Sequence, residues 1–134
     1  MRKYMTLTLL GIAAVGLAQS SQIKVDGVAV QFDAPVKEVN GHLMVPLRSM
    51  TEAMNASFKW RMNEQVATIW KNGNSFDVRV GSREASLNSS SKTIDEAPFI
   101  HKGRLYVPLR FLAEATAYSI SSEGGWIVMK NTRR

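Results

Sequence analysis

From residue 22 onward, apolar and polar residues alternate in short bursts that break at turn-forming residues. Phe58 and Trp60 fall on one face of such a burst and Lys59 and Arg61 on the other, the period-two pattern of a half-buried strand. Residues 43–45, 65–70, 76–80, 105–107, 120–122 and 126–130 carry the same signature. Residues 23–25 and 28–32 flank Asp26-Gly27 and predict a tight hairpin. Its counterpart runs from strand 85–87 through a turn at 88–91 to strand 92–94. Further turns are predicted at 40–41, 62–64, 71–74, 102–103 and 122–125.

Two stretches change period. Leu47, Met50, Thr51 and Met54 recur at helical spacing, as do Leu109, Leu112, Ala113 and Thr116, with Phe111 and Ala115 alongside. Pro46 and Pro108 suit the first helical turn, where a missing N–H is harmless. Val45 and Val107, each preceding a proline, are pushed to extended geometry. Asn55 predicts a left-handed stop to the first helix. Ala117-Tyr118 stands at that place in the second, which predicts a less sharply defined end.

These elements are organised by an internal duplication. The stretch Gly-His-Leu-Met-Val-Pro-Leu-Arg at 41–48 returns as Gly-Arg-Leu-Tyr-Val-Pro-Leu-Arg at 103–110, six identities in eight positions at an offset of 62. Glu52-Ala53 recurs as Glu114-Ala115 at that offset, and Asp33-Ala34-Pro35 is answered by Asp95-Glu96-Ala97-Pro98. Self-similarity at a fixed period points to one supersecondary unit used twice. The expected fold is α+β: an antiparallel sheet packed around two short helices, built from two tandem ββαββ-type repeats at about 22–82 and about 83–131.

Residues 1–18 are read as a signal peptide. Arg2 and Lys3 open it, residues 5–17 form its apolar run, and Gly16-Leu17-Ala18 supplies small residues for cleavage after Ala18, with Ser20 as second choice. The run is shorter than the roughly 20 residues that span a bilayer, and no permanent membrane span is expected after cleavage. The alternative is an uncleaved N-terminal anchor. Cleavage lowers the net charge from +6 to +4 by removing two basic residues. The chain has no cysteine, which excludes disulfides, thiolate zinc and thiol catalysis and suits an oxidising compartment.

Two G-x-L-x-V-P-L-R-x-x-x-E-A units, each preceded by D-A-P or D-E-A-P, resemble the copper amine oxidase N-terminal, or stalk, domain family. The resemblance covers residues 22–130, and the expected domain spans 22–131. It implies an antiparallel sheet wrapped around a helix on an exported protein. It implies no oxidase chemistry. That chemistry needs a tyrosine-derived quinone and three copper-binding histidines on a separate, larger domain, and this chain has only His42 and His101. No cofactor and no metal are therefore expected.

Candidate sites have competing structural readings. Arg48 and Arg110 would serve as clamps for an anionic ligand, or as tethers to Glu52 and Glu114 or to Asp33 and Asp95. Recurrence favours the tether. The motif residues Asp33, Val45, Pro46, Leu47, Glu52, Asp95, Val107, Pro108, Leu109 and Glu114 are read as structural. Met44, Met50, Met54 and Met62 can be drawn as a thioether site for Cu(I), but methionines at helical spacing read as core filling. Trp70, beside Lys71 at a strand end, is the expected exposed aromatic and joins Arg48 and Arg110 as a binding residue. Basic residues are dispersed except for Arg133-Arg134, which argues against nucleic acid. The expected function is a non-catalytic, exported accessory domain that binds or scaffolds an envelope protein or anionic polymer. The alternative is a small-ligand protein, for a small anion or metal, with a groove between helices and sheet.

Overall fold

Val45 and Val107 face each other across two antiparallel strands, flanked by the pairs Met44 with Pro108 and Pro46 with Tyr106. Val45 and Val107 are separated by the offset of 62, and that offset carries Met44 and Pro46 onto Tyr106 and Pro108, so the two motifs meet through equivalent positions. The computed structural model describes residues 22–133; the expected signal peptide lies outside them. The strands that meet are β4 (His42–Pro46) and β11 (Arg104–Pro108). Outside them lie β3 (Lys37–Val39) and β10 (Phe99–His101), giving the order β10-β11-β4-β3.

Helices α1 (Leu47–Met54) and α2 (Leu109–Ala115) leave the ends of β4 and β11, and each packs against both strands. Pro46 and Pro108 do not enter the first helical turn. Each is the extended N-cap residue, at φ −63°, ψ 124° and φ −64°, ψ 130°, closing the strand and opening the helix at once. The apolar face of α1 is buried as its spacing predicts, with Leu47, Met50, Thr51 and Met54 at most 2% exposed. Leu109, Leu112, Ala113 and Thr116 are buried likewise, and one continuous core contains both helical faces.

Two further sheets enclose this centre. One has the order β5-β6-β7-β8-β9, from β5 (Ser57–Arg61), β6 (Val66–Lys71), β7 (Asn74–Arg79), β8 (Glu84–Leu87) and β9 (Ser90–Thr93). The other is β12-β13-β1-β2, from β12 (Tyr118–Glu123), β13 (Trp126–Asn131), β1 (Gln22–Val25) and β2 (Val28–Ala29), with β1 parallel to β13. The fold is α+β with mostly antiparallel sheets and two helices. Hairpins precede and follow each helix, but a second hairpin, β1–β2 or β8–β9, stands in front of each set, and β7 falls outside the series. The ββαββ pattern thus describes only the immediate surroundings of a helix.

The hairpins are tighter than the sequence predicts. Asn88-Ser89 alone turns β8 into β9, with φ of 52° and 72°, in place of the expected turn at 88–91. Asn72-Gly73, at 56° and 78°, does the same between β6 and β7. Two residues at positive φ match the right-handed twist of the flanking strands, so both chains stay paired to the very end.

The helix ends also differ from expectation. Asn55 takes the left-handed stop, at φ 56°, ψ 41°. Ala117, at the same place after α2, is equally left-handed at φ 63°, so the second end is no less defined. Side chains of the β6–β7 turn hold it: Asn72 Nδ2 donates to the Thr116 carbonyl at 2.6 Å and Asn74 Nδ2 to the Ala115 carbonyl at 2.8 Å. Those bonds satisfy carbonyls that the end of a helix leaves open.

Candidate functional site

The sequence just after each proline shapes a cleft. Pro46, Leu47 and Arg48 form its floor, the edge strand β5 supplies Phe58 and Trp60, and Gly103, Arg104 and Leu105 come from the hairpin of the other motif. Ile100, on the edge strand β10, and Asp33 complete a cavity of about 160 Å³. Ile100 is 44% exposed. Phe58 and Trp60 point inward because strand alternation sends Lys59 to the other face.

Arg48 lies 5.2 Å from the Phe58 ring centroid, measured from its guanidinium carbon. A guanidinium over a ring is held in position while its planar edge keeps free donors. Arg104 is engaged differently. Its Nε lies 3.2 Å from Asp33 Oδ2 but lacks a hydrogen-bond partner, so that contact is ionic rather than aligned. The Ser49 hydroxyl donates to Asp33 Oδ1 at 3.0 Å. That donation, with the charge of Arg104, holds the Asp33 carboxyl below its ordinary value against some opposing desolvation.

A second cleft, of about 370 Å³, stands at the positions offset by 62. Pro108, Leu109 and Arg110 form its floor, and Asp95, His42 and Leu43 correspond to Asp33, Arg104 and Leu105. Where the first cleft has Phe58 and Trp60, this one has Ile120 and Ser122. His42 Nδ1 lies 4.0 Å from Asp95 Oδ2. Each aspartate therefore reaches across to the turn of the opposite motif.

The model of the copper amine oxidase N-terminal domain matches residues 24–129. The chain belongs to the copper amine oxidase N-terminal domain family. The family's domain is a non-catalytic stalk module. Comparison with curated proteins finds no match.

Within this family member the expected site residues separate. Arg48 and Arg110 are both exposed and lie in different clefts. Among the described residues, neither makes the ion pair that a tether would use. Asp33 pairs with Arg104, Asp95 with His42, and Glu114 Oε2 with Lys92 Nζ at 3.1 Å. Among the described residues no carboxylate pairs with Arg48, Arg110 included in that statement. The cause is placement: the arginines lie on the exposed side of their helices, one turn from glutamates that also face solvent.

Trp70 is exposed, at 44%, but lies outside both clefts, in a shallow depression with Asn55, Lys71 and Asn72. Val45, Pro46, Leu47, Val107, Pro108 and Leu109 are buried, and Glu52 faces solvent. Met44, Met50 and Met54 are buried in the interior, whereas Met62 is 70% exposed on a turn, so the four do not converge. Ile100 and Arg104 were not singled out from the sequence, and Phe58 and Trp60 were read there as one face of a strand. The signal lay in the offset: 58 against 120, 60 against 122 and 104 against 42 are cleft positions where the two motifs differ.

Proposed function

We propose that this chain is an exported, non-catalytic binding module of the cell envelope, and that it holds a protein or envelope polymer at the first cleft. The observation that carries this reading is Arg48, held over the ring of Phe58 beside Trp60 in an open cavity, with no acidic partner of its own among the described residues. An arginine and aromatics sharing a concave surface make a binding site rather than a tether. Export rests on residues 1–18, with their basic start, apolar run and small residues before the cleavage point. The tandem origin of the fold, in units near 22–82 and 83–131, is supported by the offset of 62 that relates the paired valines, both helices and both clefts.

Retention of the purified chain on isolated envelope material tests the reading. Arg48→Ala is expected to lose most of the retained protein, and Arg110→Ala to keep it. Equal retention of all three proteins would remove the first cleft from consideration, and turnover by the wild-type chain would remove the non-catalytic reading.

A further inference from the structure

The two clefts are built alike yet differ in charge and lining, and the difference identifies a ligand. In the first, Arg48 and Arg104 face one carboxylate, Asp33, which leaves one positive charge uncompensated. In the second, His42 stands where the first has Arg104, so Arg110 and Asp95 leave no excess of arginine over carboxylate. The space is small, about 160 Å³, enough for one side chain and a terminal group rather than an extended polymer.

Its walls are Leu47, Phe58, Trp60, Ile100 and Leu105. Among the described residues, Asn, Gln, Ser and Thr are missing from its lining, while the second cleft carries Ser121 and Ser122. A sugar presents several hydroxyls at once, and with Asp33 engaged by Ser49 and Arg104, Arg48 is the polar group left to pair with them. An apolar side chain next to a carboxylate meets both the walls and the charge. The free edge of β5 runs beside the cavity, and such an edge can take the backbone of an extended segment.

Resting on the reading above, we infer that the first cleft captures the C-terminal carboxylate and apolar last side chain of a peptide, whereas the second cleft does not. Arg48 is the carboxylate clamp. Phe58 holds it in place, and Arg104 is kept by Asp33 from competing for the same group. Trp60 forms the wall of the side-chain slot.

Titration of the full chain with N-acetylated pentapeptides ending in leucine tests the inference, read by calorimetry and by tryptophan fluorescence. The free-acid peptide is expected to bind about tenfold or more tightly than its C-terminal amide, the loss that follows removal of a charge-assisted hydrogen bond. Arg48→Gln should erase that preference, Arg48→Lys should keep part of it, and Arg110→Gln should leave it unchanged. Circular dichroism establishes that each variant is folded. Trp60→Phe should weaken both peptides alike, since it alters the slot and not the clamp.

Equal binding of acid and amide would overturn the inference, as would an equal loss in Arg110→Gln. Trigalacturonate binding in place of the peptide, lost in Arg48→Gln, would overturn the ligand class and leave the cleft as the site. Absence of peptide binding while envelope retention still depends on Arg48 would do the same. Retention indifferent to Arg48 instead defeats the broader reading.

Discussion

The two outer sheets flank the same centre and differ by one strand. In one, β6 and β8 are separated by β7, which pairs antiparallel with both. In the other, β13 and β1 meet directly and run parallel. The inner motif is held to near-identity by the pairing of β4 with β11, where each valine is the other's neighbour. The periphery has no such constraint and has diverged in strand number, helix termination and cleft lining. Sequence similarity is therefore greatest where the structure forces the two motifs against each other.

The largest effect is expected where a core position of one motif has lost its likeness to the other. Phe111 packs edge-on against Phe76 of β7, with ring centroids 5.3 Å apart. Its counterpart in α1 is Ser49, which hydrogen-bonds Asp33. Phe111→Ala should cost about 3–5 kcal/mol in chemical denaturation, because it empties a site that extends from helix to added strand. Ser49→Ala should cost only about 1–2 kcal/mol, since Ser49 donates to Asp33 Oδ1 and accepts a longer bond from the Asp33 N–H. Comparable losses in the two variants would contradict the view that β7 is anchored by the second helix.

Acid denaturation sharpens the same contrast. The depressed Asp33 carboxyl contributes stability that is present above its unfolded value of 3.8 and is lost as pH falls through the lower folded value. Asp33→Asn should therefore be less stable than wild type near neutrality and converge with it in acid. Parallel stability curves across that window would show that Ser49 and Arg104 do not favour the ionised form.

The smallest effect concerns the helix ends. Ala117 sits at positive φ, where a side chain is disfavoured by about 1–2 kcal/mol relative to glycine, and Asn55 occupies the equivalent place at little strain. Ala117→Gly should raise stability by about 1 kcal/mol, less the entropy of a freer unfolded chain. Ala117→Asn should also gain. A loss in both variants would mean that the bonds from Asn72 and Asn74 already remove the strain.

Much of this architecture was legible in the sequence because it depends on local pattern. Leu47, Met50, Thr51 and Met54 could be assigned to one helical face by spacing alone, and Asn55 to its stop by residue type. The offset of 62 announced two motifs, but their mutual pairing through Val45 and Val107 is a long-range contact that no periodicity encodes. The clefts were less legible for the same reason. Arg48 was visible as a repeated arginine, yet its role depends on Phe58 in a strand ten residues away and on Arg104 beyond the other hairpin. Asp33 was expected near an arginine of its own motif and instead reaches that of the other.

The parallel pairing of β1 and β13 has a mechanical corollary. Gln22 lies opposite Trp126 and Val25 opposite Met129, and the Asn131 amide donates to Asp26 Oδ1 at 2.8 Å. Tension drawing β1 by its leading residue and β13 by its trailing one slides the two strands along each other. The bonds between them are then loaded together in shear instead of being unzipped one after another.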